Sequence, residues 1–257
     1  MCLILIALGQ HPDFPLIVAA NRDEYHERPT RALHFWEEHP AILAGKDLKE
    51  GGTWLGVDRA GRLAAVTNLR SANHSGSSGE RSRGQLVKEF LAGKLGAEDY
   101  VRMVAAERER YGAFHLVLFA RGSLFVYGSY LSEPVRLEAG IHGISNGPLD
   151  DPWPRALRGL AGMKQIVTSA AVSHTQAYLE LLDSRNLDAA SPAGQPARDS
   201  QSTVPDLPVF VTGEHYGTRC SSVILQTATH HVSFSERIFD AEGAAGELRE
   251  FHYQAEG

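Results

Sequence analysis

Residues 2–20 read CLILIALGQHPDFPLIVAA, and their reading decides the fold. The runs CLILIAL at 2–8 and LIVAA at 16–20 are short and continuously apolar, and the turn-forming GQHPDFP separates them. That pattern predicts a hairpin of buried strands. It returns in TWLGVDRAGRLAAVTN, with DRAG as the turn, in FHLVLFARGSLFVYGSY around RGS, and in SSVILQTATHHVSFSERIF near the C-terminus. Consecutive hairpins imply antiparallel sheet rather than parallel crossovers.

Helical periodicity lies between the hairpins. SRGQLVKEFLAG starts at Ser82 with Gln85 three residues on, a capping-box pattern, and Gly93 is its stop signal. AEDYVRMVAAERERYG sets Tyr100, Val101, Val104 and Ala105 on one face and runs to Gly112. Residues 154–168 and 173–185 supply two more helices. Hairpins, two helices, hairpins, two helices and a last hairpin describe an α+β layered fold, with two antiparallel sheets facing each other and helices outside.

The 257 residues are 43% apolar and 22% charged, enough for a sizeable core. A Pro/Ser-rich stretch at about 186–207 reads as a long loop, and the chain beyond it is too short for another domain, so a single domain over 1–257 is expected. SANHSGSSGERS reads as a smaller polar loop. The net charge of −6 and the absence of a basic run argue against nucleic acid as a partner. Two cysteines make no disulfide framework, which points to a reducing compartment. The apolar start has no positive flank or cleavage site, and no stretch is long enough to span a membrane. A cytoplasmic protein acting on a small molecule is the expectation, with the oligomeric state left open.

Cys2 admits two readings. Removal of Met1 would put a thiol and a free α-amine on one residue, and an amine titrating near ~7.7–8.0 can take the thiol proton without a histidine. The other reading is a small buried residue starting a strand. The segment ANRDE at 20–24 sharpens the question. On an extended chain Asn21 and Asp23 face one way, and Arg22 and Glu24 the other. Asp23 could hold the amine and Arg22 favour the thiolate; equally, the four could be a charged strand exit.

MCLI, ANRDE, GGTWLG, SRGQLV, SNGP and YGTR, in that order, resemble the NRDE family, also called the Transport and Golgi organization family. The resemblance runs from residue 2 to the last hairpin. It implies an N-terminal-nucleophile hydrolase fold, a four-layer αββα sandwich, whose closest catalytic analogues are the choloylglycine hydrolases and penicillin V acylases. By that resemblance Cys2 is the nucleophile, Arg22 and Asp23 flank it, and Asn68 is an oxyanion-hole donor. Asn146 positions the amine or the tetrahedral intermediate, and Arg219 lies near the thiol. Asn21, Glu24 and Trp54 are candidates for binding. In those hydrolases two residues separate the arginine and aspartate, whereas here they are adjacent, so both reach the thiol only across a bulge or turn. Better-known family members are linked to acyl-CoA or lipid handling and to haem trafficking.

Other patterns compete less well. GISNG at 143–147 matches a nucleophile elbow, with Ser145 as nucleophile, Asp150 or Asp206, and His215 or His231. That motif needs a parallel strand before it and a helix at once after it, and Pro148 opposes the helix. The Gly51–Gly52 pair is no phosphate loop, since no Gly-Lys-Ser/Thr follows; it makes a tight turn, and Trp54 lines a pocket or the core. The twelve histidines show no metal or haem spacing; His230 and His231 fall in a hairpin turn, and Cys220 reads as a core thiol. The expected function is a Cys2-dependent amidohydrolase or acyl-transfer site that needs no cofactor. The alternative is a non-catalytic carrier of haem or acyl-CoA.

Overall fold

The structure, a computed structural model, describes residues 2–69, 79–149, 153–187 and 206–256. Met1, Asp150 and most of the two polar loops expected at 71–82 and 186–207 lie outside the described residues. The chain begins with β1 (Leu3–Leu8), β2 (Leu16–Tyr25), β3 (Thr30–Phe35), β4 (Ile42–Asp47), β5 (Leu55–Asp58) and β6 (Leu63–Asn68). Helices α1 (Gly84–Ala92) and α2 (Ala97–Ala106) follow, then β7 (Phe114–Ala120), β8 (Ser123–Gly128), β9 (Val135–Leu137) and β10 (Gly140–Ile144). Helices α3 (Pro154–Val167) and α4 (Thr175–Leu182) precede β11 (Tyr216–Gln226), β12 (His231–Phe239) and β13 (Ala245–Gln254).

These strands form two antiparallel sheets. One is six-stranded, in the order β10-β1-β2-β11-β12-β13; the other is seven-stranded and follows chain order from β3 to β9. Alternation along each strand sorts the side chains into three apolar layers. Ile4, Ile6, Val18 and Ala20 meet Ala65, Val117, Phe119, Ile224 and Phe234 between the sheets. Leu3, Leu5, Ile17 and Ala19 face the other way, onto Ala156, Met163 and Tyr178 of α3 and α4. Ala64, Val66, Leu116 and Leu118 pack on Leu86, Phe90, Tyr100 and Val104 of α1 and α2. The expected αββα sandwich is therefore the observed architecture. The first hairpin is apolar on every residue of β1 and from Leu16 to Ala20 of β2 because both of its faces are covered there.

Local expectations needed correction. Strands β3, β4, β9, β10 and β13 are not marked by apolar runs in the sequence, because several lie at sheet edges with few or no buried residues, as in AGELREFHYQ of β13. The capping box does not form: Arg83 is the N-cap of α1, with no side-chain cap bond. The Gln85 amide instead donates to the Glu50 carbonyl at 2.6 Å, because α1 abuts the Gly51–Gly52 turn. Helix α2 stops at Ala106, well before Gly112, and a 3₁₀ turn at Arg108–Arg110 follows. His230 does sit in the β11–β12 turn, at φ +62°.

Candidate functional site at the Cys2 end of the sandwich

The strand registers assemble a row across the six-stranded sheet. Leu3 pairs with Asn21, so one residue further Cys2 comes level with Arg22. Ile4 pairs with Ile144, which brings Asn146 level with Cys2 on its other side. Arg22 pairs with Cys220 of β11. All four share the strand face that looks between the sheets. Asn146 is 1% exposed, and its amide donates to the Asn68 carbonyl at the end of β6, so it spans the gap to the opposite sheet. Cys2 is half-buried, with its sulfur 4.0 Å from the Asp23 carbonyl oxygen.

Arg22 and Asp23 do not converge. No bulge interrupts β2 between them; the register shift falls on β11, between Thr218 and Cys220, where Arg219 is the extra residue. Arg22 lies between the sheets, with its guanidinium carbon 4.3 Å from the Trp54 ring centroid and Nη1 donating to Thr30 Oγ1 at 3.1 Å. The Asp23 carboxylate lies on the helix face. It forms an ion pair with Arg155 of α3, the two side chains being 0% and 2% exposed, and accepts from Thr218 Oγ1 at 2.7 Å. Asn21 faces the same way, donating to the Leu182 and Val209 carbonyls at 2.8 and 2.9 Å and accepting from Ser221 Oγ at 2.6 Å. Buried charge demands such compensation. Asp23 thus reaches the thiol region through its backbone carbonyl, while its carboxylate and the Asn21 amide fasten sheet to helices.

The remaining expected residues divide as well. Asn68 ends β6 at an exposed position. Arg219 is partly buried, and its Nη1 donates to the carbonyls of Tyr25 and His26, both at 2.8 Å, and of Arg28 at 3.3 Å. Glu24 is partly exposed, and its carboxylate accepts from the Tyr25 amide at 2.9 Å. Trp54 packs against Gly45, where a Cβ would come within 2.3 Å of its ring. The elbow reading of Ser145 fails, because β10 is antiparallel to β1 and no helix follows it directly. The Ser145 carbonyl accepts from Thr67 Oγ1 and His115 Nδ1, both at 3.1 Å, which fixes the Asn146 segment to β6 and β7.

Electrostatics at the thiol oppose one another. Burial pushes the Cys2 thiol up, and the Asp23 charge adds to that; Arg22 and the Asp23 carbonyl contact work against it. Burial also pushes Cys220 well up, with Glu236 contributing. Sequence reasoning missed Arg83, which lies within electrostatic range of Cys2, Glu24 and Arg28. It also missed Arg28, paired with Asp47 at 2.5 Å, and Arg155. Arg83 sits inside the quoted SRGQLV, so the motif held the signal, but nothing local said which side chain would face the thiol. Among the described residues no cluster of His, Cys, Asp and Glu is arranged to hold a metal. No helix there is long and apolar enough to cross a membrane.

The family model described as Transport and Golgi organisation 2 matches residues 1–241. The chain belongs to this family. It is 34% identical over 264 residues to the Transport and Golgi organization protein 2 homolog of Bos taurus, covering 92% of each chain. It is 32% identical to the Homo sapiens homolog, covering 98% of this chain and 99% of the other. Among solved structures it resembles the Caenorhabditis elegans ortholog of N-acylethanolamine-hydrolyzing acid amidase, with a TM-score of 0.50 over 87% of this chain and 92% of that one. At 9% identity that likeness concerns the fold alone.

The motifs of the Transport and Golgi organisation 2 family pair off in space. ANRDE and YGTR are neighbouring strand ends, joined by Thr218 on Asp23 and by the Tyr216 hydroxyl donating to the Asp23 carbonyl at 2.8 Å. GGTWLG and SRGQLV form a seam in which the Thr53 amide donates to the Gly84 carbonyl at 3.2 Å. A Cβ on Gly52 would lie 2.4 Å from the Gly84 carbonyl carbon, so the two chains touch through backbone.

Proposed function

We propose that this family member carries a Cys2-dependent site for amide hydrolysis or acyl transfer, acting on an N-acyl amide or a thioester. The supporting observation is the row Asn146–Cys2–Arg22, which sets a half-buried thiol between an amide donor and a guanidinium at the mouth of the sandwich. Once Met1 is removed, the Cys2 α-amine takes the thiol proton and the sulfur attacks the substrate carbonyl, forming a C–S bond. Asn146, with Asn68 at the rim, supplies amide donors near the developing oxyanion. The leaving amine or thiol departs with a proton as its bond to carbon breaks. Water then cleaves the acyl-cysteine thioester, releasing the acid and restoring the thiol.

One observation favours a second reading. Burial pushes the Cys2 thiol up, which works against forming the thiolate that attacks a carbonyl. That favours a non-catalytic carrier of haem or acyl-CoA. Intact-mass spectrometry decides whether Met1 is gone, and turnover is then measured on a panel of N-acyl amides and thioesters. The hydrolase reading expects Met1 removed, turnover, and its abolition in a folded Cys2→Ala protein. Retained Met1 with no turnover, together with a Soret shift on haem addition or calorimetric binding of acyl-CoA, establishes the carrier instead.

A further inference from the structure

We propose that the mouth of the Cys2 site selects ligands bearing an anionic group, and that Arg83 is the residue that recognises it. This rests on the reading of Cys2 as the reactive centre and adds the class of substrate.

Arg22 and Arg83 lie within electrostatic range of Cys2, and Arg219 within range of Arg22; the hydrogen bonds of the three among the described residues go to Thr30 and to main-chain carbonyls rather than to carboxylates. Arg22 is 5% exposed and is held by the Trp54 ring and Thr30. Arg83 is partly buried and spends one N–H on the Ala113 carbonyl at 3.2 Å. Arg219 is engaged only with main-chain carbonyls. Arg28 is also near, but Asp47 neutralises it. Arg22 also feels the charges of Asp47 and Glu236, whereas the carboxylate felt by Arg83 and Arg219 is that of Glu24, which closes to a salt bridge on neither. Burial pulls the pKa of both Arg83 and Arg219 down, as expected of cations short of compensation. A half-buried guanidinium with a carboxylate nearby but none in contact is left with donors that an anion can complete.

The three arginines are not equivalent. Arg22 and Arg219 have their guanidiniums anchored by the ring and the carbonyls described above. Arg83 retains N–H donors beyond its single bond to Ala113, and a planar guanidinium suits a carboxylate or phosphate in a two-pronged contact. Its position is rigid, because it caps α1 immediately before Gly84, whose carbonyl is bonded to Thr53. Trp54, next in sequence to Thr53, carries Arg22. One seam therefore sets both the cation near the thiol and the cation at the rim. The ligand class is an acyl compound whose leaving group or acyl tail ends in a carboxylate or phosphate.

The test uses the thioester of octanoic acid with 3-mercaptopropionate and its uncharged counterpart with 3-mercaptopropionamide. The full-length protein should prefer the anionic thioester about tenfold or more in kcat/KM, mostly through KM, as one charge-assisted contact implies. Arg83→Gln should bring the two to near equality, read as the ratio of their kcat/KM values, because any change in thiol reactivity acts on both thioesters alike. Arg83→Lys should retain part of the preference, and raised salt should shrink it. Thermal melts establish that both variants fold. Calorimetry on Cys2→Ala provides a readout without turnover: tighter binding of the anionic thioester, lost in the double variant with Arg83→Gln. Equal handling of both thioesters, or a preference indifferent to Arg83, overturns the inference and leaves the hydrolase reading standing. No turnover of either thioester alongside an Arg83-dependent binding preference sinks the hydrolase reading and leaves the ligand class intact.

Discussion

Two residues adjacent in sequence, Arg22 and Asp23, work on opposite faces of one strand. Arg22 belongs to the thiol end of the gap between the sheets, and the Asp23 carboxylate to the joint with α3. The chemistry of each was readable from its type, but its direction followed from the regular register of β2. His115 makes a similar point. It is fully buried, its Nδ1 donates to the Ser145 carbonyl, and its Nε2 has no partner. Burial pushes its pKa down to about 4. An unfolded histidine titrates near ~6.5, so below that pH the unfolded chain takes up the proton first. The stabilisation from keeping His115 neutral is fully present above ~6.5 and is lost as the pH falls towards and through about 4. Urea midpoints at pH 7.5 and 5 should show the wild type losing roughly 2 kcal/mol more than His115→Gln, from the pKa difference alone. Parallel losses in the two proteins would assign acid sensitivity elsewhere.

Elements explain the motifs better than single residues do. GGTWLG and SRGQLV are far apart in sequence and make one seam, because glycines at 52 and 84 let a turn and a helix start approach through their backbones. Gly52→Ala forces a Cβ against main chain that cannot rotate away, and should cost about 1–3 kcal/mol as overpacking does. Gly51→Ala meets only the end of the Gln85 side chain, at an ordinary 3.9 Å, but sits at φ +70°, so its cost should be about 1 kcal/mol from the backbone alone. Thermal unfolding of the two variants checks the order; a Gly52→Ala protein as stable as wild type would mean that the seam opens easily. The hairpins and helices were legible at this scale from continuous apolar runs and helical spacing. The failed capping box shows the limit: Gln85 has the right spacing, yet a nearer acceptor on another element, the Glu50 carbonyl, takes its amide.

Across the whole molecule, β2 and β11 form the spine. They pair from Leu16 to Tyr25 with helices on one side and the second sheet on the other, and nearly all of their residues are buried. Their amides should exchange only through global unfolding, whereas those of β9 and β13, largely exposed at sheet edges, should exchange orders of magnitude faster. Hydrogen exchange read by mass spectrometry tests this; early exchange in β2 would mean that the Cys2 end opens independently. The sequence by itself determined the layered α+β class, the main hairpins, the family and the residue types at the thiol. Those features are local patterns of burial and turn chemistry, which a one-dimensional string carries. The tertiary structure alone decided that Asn146, Cys2, Arg22 and Cys220 share a row, that the Asp23 carboxylate belongs to Arg155, and that Arg83 comes within electrostatic range of Cys2. Each of these depends on register between strands or contact between elements far apart in the chain, and residue spacing carries no information about which distant partner a side chain will meet.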